Sequence, residues 1–397
     1  MSVFIPREFV FAGIHCGIKR DSTKRDLGLV VSLRPATAVG VYTQNRIYAA
    51  PVAWDRAHTP SERVRAVVAN SGNANACTGE QGYRDAAEMA RLTGQLVGTT
   101  PDEVLVLSTG IIGEFLPMDR ISEGIRLAAS QLSPDPQAFL AVAEALLTTD
   151  KYRKIASVEL PVEGKVVRLA GMAKGAGMIS PRMATMLALI LTDATVDPET
   201  ADHLLRQAVD QSFNCISVDG HMSTNDTVLF LANGSSGLKI GADLSRELFA
   251  EKLTELCQTL ARAIVSDGEG ATHLITIDVS GCRTREEALQ VARTVANSPL
   301  VKTAIAGADP NWGRIVSAVG YSGVPFDPEK LTLHVNGFLL YQHGRPLPFD
   351  PEAVSQSIRQ SFEVFVHIGL EEGSASARFW TCDLTAEYVR INADYHT

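Results

Sequence analysis

Several features are scarce in this chain of 397 residues, and each absence narrows its chemistry. Its cysteines (Cys16, Cys77, Cys215, Cys257, Cys282 and Cys382) never stand at CxxC spacing, which argues against a zinc ribbon or a disulfide framework and leaves free thiols as the expectation. Its histidines (His15, His58, His203, His221, His273, His334, His343, His367 and His396) show no metal-ligand spacing, so no metal is expected. No apolar run reaches membrane-spanning length, and residues 1–15 lack a basic leader followed by an uninterrupted apolar stretch, so the cytoplasm is the expected compartment. No block of lysine and arginine offsets the net charge of −9, which disfavours nucleic acid and anionic membranes as partners. The glycine-rich segment Gly171–Ser180 lacks both the Gly-Lys-Ser/Thr ending of a phosphate loop and the third glycine of a dinucleotide fingerprint. The adjacent His15 and Cys16 make a poor base–thiol couple, because sequence neighbours rarely have the needed geometry.

What is present is ordinary for a globular protein: 45% hydrophobic and 20% charged residues, in a chain long enough for two or three domains or one large layered domain with an appendage. Apolar residues recur at three- and four-residue intervals over Arg84–Val97, Asp119–Leu132, Gln137–Leu147, Ala201–Ser212, Leu244–Ser266 and Glu286–Ala296, which predicts helices. Short runs read as strands at Val104–Ser108, Ala156–Leu160, Val166–Ala170, Met186–Thr192, Thr227–Ala232, Leu274–Val279, Lys302–Ala306, Leu331–Val335 and Ser376–Thr381, with Glu163-Gly164 as a hairpin tip. The mixture predicts an α/β or α+β architecture. A turn-rich connection at residues 344–351 and the shift to short β pieces after about Gly281 suggest a separate C-terminal α/β domain over 281–397.

The segment carrying most chemical information is Lys174-Gly-Ala-Gly-Met-Ile-Ser-Pro-Arg-Met-Ala184-Thr185, which runs into the apolar stretch Met186–Leu191. A threonine has a hydroxyl nucleophile but no base of its own. Were Thr185 Oγ to attack the carbonyl of Ala184, hydrolysis of the resulting ester would free the Thr185 α-amine to act as that base. From residue types alone, a glycine-rich loop ahead of a core strand is the plainer reading.

The run Lys174-Gly-x-Gly-Met-Ile-x-Pro-x-Met-Ala-Thr185-Met-Leu nevertheless resembles the self-processing signature of the ornithine acetyltransferase (glutamate N-acetyltransferase) family, and the likeness recurs along the chain. It is carried by Asn70–Gly79, Ser108–Gly113, Thr148-Thr-Asp150, Ser223-Thr-Asn-Asp226, Asp267–Thr272, Gly307–Arg314 and Tyr388–Thr397. The resemblance implies a layered αββα sandwich whose nucleophile heads a central strand. It implies cleavage between Ala184 and Thr185 into an α chain, 1–184, and a β chain whose residues 185–280 complete the core, the two chains associating as α2β2. It further implies Thr185 as nucleophile and Thr109 with Gly110 as oxyanion hole. Thr148, Lys174, Thr185, Glu269, Asn392 and Thr397 match substrate-binding positions, Lys174 and Glu269 having the opposite signs that N-acetylornithine requires. The implied reaction is acetyl transfer from N2-acetyl-L-ornithine to L-glutamate, with no cofactor.

The chain departs from the usual pattern at Arg182, where Asn is commoner, at Ser180, where His is frequent, and at His221-Met222. None removes a matched group. Three other readings stand beside the main one: acetyl-CoA as a further donor, an N-terminal-nucleophile hydrolase such as an aminopeptidase or amidase, and a metabolite-binding protein in which Thr185 stays uncleaved.

Overall fold

A computed structural model describes residues 3–162, 164–180, 186–241 and 244–394. The N-terminal half runs β1 (Phe9–Ile14), β2 (Leu27–Tyr42), α1 (Ala50–His58), β3 (Ser61–Asn73), α2 (Gly79–Val97), β4 (Val104–Ile111), α3 (Met118–Ser130) and α4 (Pro136–Ala145). It continues through β5 (Lys154–Val162), β6 (Lys165–Lys174), β7 (Leu187–Thr192), α5 (Pro198–Asp210), β8 (Ile216–Ser217), β9 (Thr227–Ala232) and α6 (Leu244–Ser266). The remainder is β10 (Leu274–Cys282), α7 (Arg285–Ala296), α8 (Pro299–Ala306), α9 (Trp312–Gly320), β11 (Thr332–Val335), β12 (Phe338–Gln342), β13 (Arg345–Pro346), α10 (Pro351–Gln360), β14 (Glu363–Gly369), β15 (Ala375–Cys382) and α11 (Ala386–Asp394).

The long strand β2 is the hinge of the architecture. Its first part, Leu27–Val31, pairs with β1 on one side and β3 on the other, whereas Thr37–Tyr42 pairs with β9. Between these stretches lie the exposed Leu33, Arg34 and Pro35, where the register with β3 shifts and proline offers no N–H to the ladder. The strand order β4-β3-β2-β9-β7-β6-β5 therefore folds into two sheets that share β2 and lie face to face.

Side-chain alternation shows the layering. Val104 and Val106 of β4 pack outward with Ala86, Met89, Ile121 and Ile125 of α2 and α3, while Leu105 and Leu107 point into the space between the sheets. In β7, Leu187, Leu189 and Leu191 join that same inner core, and Ala188 and Ile190 face α5 and α6. Strands buried on both faces read as unbroken apolar runs, which is why Met186–Thr192 and Val104–Ser108 are visible in the sequence. Helices outside both sheets complete an αββα sandwich. One edge of the inner core is closed by α4, whose Phe139 meets the Phe11 ring edge-on at 5.3 Å.

A separate sheet, β13-β12-β11-β14-β10-β15-β8, follows α6 and is covered by α7 on β10 and β15. Its interior strand β10 begins at Leu274, and its edge strand β8 takes Ile216–Ser217 from the earlier half. One strand expectation fails: Lys302–Ala306 lies in α8. Ser298 caps that helix with Pro299 in its first turn, and burial of Lys302, whose Nζ donates to Val218 O (2.7 Å) and Thr381 Oγ1 (3.0 Å), made a helical segment read as an apolar strand. The expected hairpin joins β5 to β6 through the pair Val162 and Lys165; Gly164 sits there at φ +75°, and Glu163 lies outside the described residues.

Phe139→Ala should open a cavity between the sheets and cost about 3–5 kcal/mol. The midpoint of urea unfolding measures it. A loss below about 1 kcal/mol would show that the α4 edge contributes little to the inner core.

Candidate active site

Inner-face parity brings the key side chains together. Thr109 follows Leu105 and Leu107 on the inner face of β4, and Lys174 follows Ala170 and Met172 on the inner face of β6. The two strands belong to opposite sheets, yet Lys174 Nζ reaches Thr109 Oγ1 at 3.3 Å with both residues buried. Around this contact lies a cleft lined by Ala74, Thr109, Gly110, Thr148, Lys174, Gly177, Ser223, Thr224, Asn225, Glu269 and Asn392. Lys174 pairs in register with Leu187, so β7 starts beside this cleft. A roomier groove between the N-terminal segment, β5 and α6 has, among the described residues, only Lys252 and Glu255 as ionisable groups, and these pair with each other at 2.8 Å.

The strand end carrying Thr109 and Gly110 is held by side-chain amides. Asn225 Nδ2 donates to Ala74 O (2.7 Å) and Ser108 O (2.8 Å), and Ser108 Oγ donates to Asn70 Oδ1 (2.6 Å). Gly110 sits at φ +135°, and a Cβ there would lie 2.3 Å from the Gly72 carbonyl carbon, so only glycine fits.

Charge is concentrated behind the cleft. Lys154 Nζ is shared by Asp150 (2.7 Å) and Asp267 (2.6 Å), all three side chains being fully buried. Asp150 also accepts from Thr148 N (3.0 Å) and Gly175 N (2.6 Å), while Asp267 accepts from Lys151 N (2.9 Å). This triad thereby ties together the segments bearing Thr148, Lys174 and Glu269. Burial opposes charge on Asp150, but Lys174, Lys154 and the Thr148 N–H outweigh it and hold the carboxyl well below the usual range. For Asp267 burial prevails over Lys154, and the pKa is raised. Lys174 itself is pushed below the ordinary lysine range by burial, with Asp150 the largest opposing influence.

Glu269 forms the other pole of the cleft. Its N donates to Ala176 O (2.8 Å), and Gly177 passes so close that a Cβ there would sit 2.4 Å from its carboxylate. Asn392 Nδ2 of α11 donates to Glu269 Oε2 (2.9 Å). That helix is anchored by Thr385 Oγ1 donating to Gly270 O (2.7 Å) and Tyr388 OH donating to Asp219 Oδ2 (3.3 Å). Asp219 in turn accepts from Met178 N (2.6 Å) and Ile179 N (3.0 Å), linking α11 to the stretch after Lys174. Asp226 accepts from Met186 N (2.9 Å); burial drives its carboxyl well above the usual range, and its second oxygen is unpartnered among the described residues.

Of the residues anticipated from the sequence, Thr109, Gly110, Thr148, Lys174, Glu269 and Asn392 therefore line one cleft. Ala184, Thr185 and Thr397, together with Arg182, lie outside the described residues. Sequence reading assigns no role to Asp150, Lys154, Asp219, Asp226, Asp267 or Tyr388. The signal available was the position of Asp150, Asp226 and Asp267 within the quoted motifs, but burial of a carboxylate leaves no periodic trace. Among the described residues no group of His, Cys, Asp or Glu gathers as a metal-ligand set, and no helix is long and apolar enough to cross a membrane.

A threonine hydroxyl beside a glycine at a strand end, facing buried charges of both signs within an αββα sandwich, defines an enzyme suited to moving an acyl group. The chain belongs to the ArgJ family, which matches residues 10–397, and is accordingly an acyltransferase. It is 47% identical to the arginine biosynthesis bifunctional protein ArgJ of Symbiobacterium thermophilum, covering 100% of this chain and 98% of that protein. With the protein of the same name from Rhodopirellula baltica it shares 44% identity over 99% of this chain and 96% of the relative. The crystal structure of the Bacillus halodurans protein argJ superposes with a TM-score of 0.50 at 36% identity, covering 51% of this chain and 96% of that one.

Lys154→Met removes the cation that two buried carboxylates share and should cost about 3–5 kcal/mol at neutral pH. Because the folded-state pKa of Asp150 is depressed, its contribution is present above the ordinary carboxylate range and is lost as pH falls through the folded value. The gap between wild type and variant should therefore narrow below about pH 4, read from urea unfolding at stepped pH. A gap independent of pH would mark the loss as one of packing.

Proposed function

We propose that this protein transfers the acetyl group of N2-acetyl-L-ornithine to L-glutamate, yielding ornithine and N-acetyl-L-glutamate for arginine biosynthesis. The observation that carries the reading is the convergence of Thr109, Gly110, Lys174 and Glu269 in one cleft at the start of β7, the strand that Thr185 precedes in sequence. The relatives' name, arginine biosynthesis bifunctional protein, supports the pathway.

In this reading the chain cleaves itself between Ala184 and Thr185, and the freed α-amine of Thr185 becomes the general base. The Bacillus halodurans chain, matched over 96% of its length yet spanning 51% of this one, is in keeping with a polypeptide divided near its middle. Thr185 Oγ attacks the acetyl carbonyl, the Thr109 hydroxyl and Gly110 N–H hold the oxyanion, and ornithine leaves with the proton taken by the amine. Glutamate then attacks the Thr185 ester. Lys174 pairs with the substrate α-carboxylate and Glu269 with the ornithine side-chain ammonium, with Thr148, Asn392 and Thr397 completing the pocket. The covalent ester carries the acetyl group without a cofactor; the α and β chains remain associated as α2β2, in the cytoplasm. The relatives' description as bifunctional favours acetyl-CoA as a second donor at the same nucleophile.

Purified protein should appear as two fragments, the second beginning at Thr185, whereas Thr185→Ala should remain full length and inactive; N-terminal sequencing and intact mass decide this. Acetylornithine should leave an acetyl group on the Thr185 fragment after rapid quench, and double-reciprocal plots against glutamate should be parallel. Intersecting lines without an acetylated fragment would point to direct transfer. Acetate in place of N-acetylglutamate, alongside ornithine, when glutamate is present would instead identify a hydrolase.

In processed enzyme, Glu269→Gln should raise KM for acetylornithine more than KM for glutamate, whose side chain is anionic. Equal weakening of both substrates would remove the charge assignment.

A further inference from the structure

The geometry points to a second role for Lys174: by donating to Thr109 Oγ, its ammonium turns the threonine's own hydrogen away from itself and into the cleft, arming the oxyanion donor. This rests on the proposed function, in which Thr109 serves the oxyanion, and deepens it.

The argument begins with donor inventory. An ammonium has three N–H donors and no lone pair, so in the 3.3 Å contact between Lys174 Nζ and Thr109 Oγ1 the hydroxyl oxygen accepts. A threonine hydroxyl has one hydrogen to give. With its oxygen engaged from the Lys174 side, that hydrogen is directed elsewhere, and Thr109 borders the cleft. A neutral lysine amine has a lone pair and would accept the same hydrogen, turning the donor away from the reacting carbonyl. Charge on Lys174 thus decides which way the Thr109 dipole points, and in so buried a place a donor polarised by a cation is a stronger one.

The surroundings pull on that charge in both directions, with burial the stronger. Asp150, Asp226 and Glu269 act on Lys174 to favour its ammonium, while burial and Lys154 oppose it. Lys19 also senses Lys174. Lys174 is then a positioning residue for the Thr109 hydroxyl in addition to being a substrate contact, and its removal acts on turnover as well as on affinity.

Two measurements on fully processed enzyme test this, both reading ornithine release from acetylornithine. The first is a double-mutant cycle. Thr109→Ala and Lys174→Met should each lower kcat by about 10²-fold, and the double variant should be little worse than either. If Lys174→Met raises KM while kcat holds, or if the kcat losses multiply, the inference is wrong.

The second measurement needs no deletion, and so stands if Lys174→Met fails to fold or to process. Wild-type kcat should fall at alkaline pH with a midpoint below the ordinary lysine value, as Lys174 loses its proton and Thr109 swings away. Lys174→Arg, which keeps its charge and has no acceptor, should retain a high-pH plateau. Lys19, whose pKa is lowered to about 8 by burial, also titrates in this region, but a limb belonging to it would persist in Lys174→Arg and would overturn the assignment. A wild type that releases no ornithine from acetylornithine defeats the proposed function itself; additive losses or a persistent limb in a working enzyme defeat only this inference.

Discussion

Strand β2 serves two sheets, and the site depends on that sharing. Because β1 pairs only with the first part of β2 and β9 only with its second, across the exposed Leu33–Pro35 stretch, the β3–β4 edge and the β9–β7–β6 strands come to lie face to face. An open sheet in the same strand order would hold β4 and β6 several strand widths apart. Folding the sheet on β2 converts that distance into a hydrogen bond between Thr109 and Lys174.

The same closure sets an electrostatic problem. Residues on the inner faces are apolar through most of the sandwich, so charges gathered at one end are held in a medium that penalises them unless they are paired. Asp150, Lys154 and Asp267 answer it as a buried triad that also accepts backbone N–H groups of the cleft-forming segments, with Asp267 Oδ1 left unpartnered among the described residues. The polar cluster therefore has a geometric consequence: it joins the segments that present Thr148, Lys174 and Glu269. The separate sheet after α6 contributes too, since Thr272 and His273 are pinned through their N–H groups to Asp383 at the end of β15, and α11 folds back to bring Asn392 to Glu269.

Much of the fold was legible where periodicity was strong. The helices α2, α3, α5 and α6 and the doubly buried strands β4, β7 and β9 carry patterns that burial imposes directly on residue type. The long β2 and β3 escaped notice because charged and small residues at their bent, exposed stretches break the alternation. Lys302 misled for the opposite reason. A lysine sealed into a polar cradle by Val218 and Thr381 has neighbours that look like a strand, while its own helix is declared only by Ser298 and Pro299.

By itself the sequence determined the chemistry-bearing motifs, their order and the family likeness, because a Thr-Gly strand end, the Lys174–Thr185 segment and a Glu269 turn are local features of residue type and spacing. Only the tertiary structure decided that Thr109, Gly110, Thr148, Lys174, Glu269 and Asn392 share one cleft, that Lys154 bridges two carboxylates behind it, and that a lysine on one sheet donates to a threonine on the other. Those relations depend on side-chain parity across two facing sheets and on charges removed from water, and neither face-to-face register nor burial of a charged side chain is encoded in any local stretch of the chain.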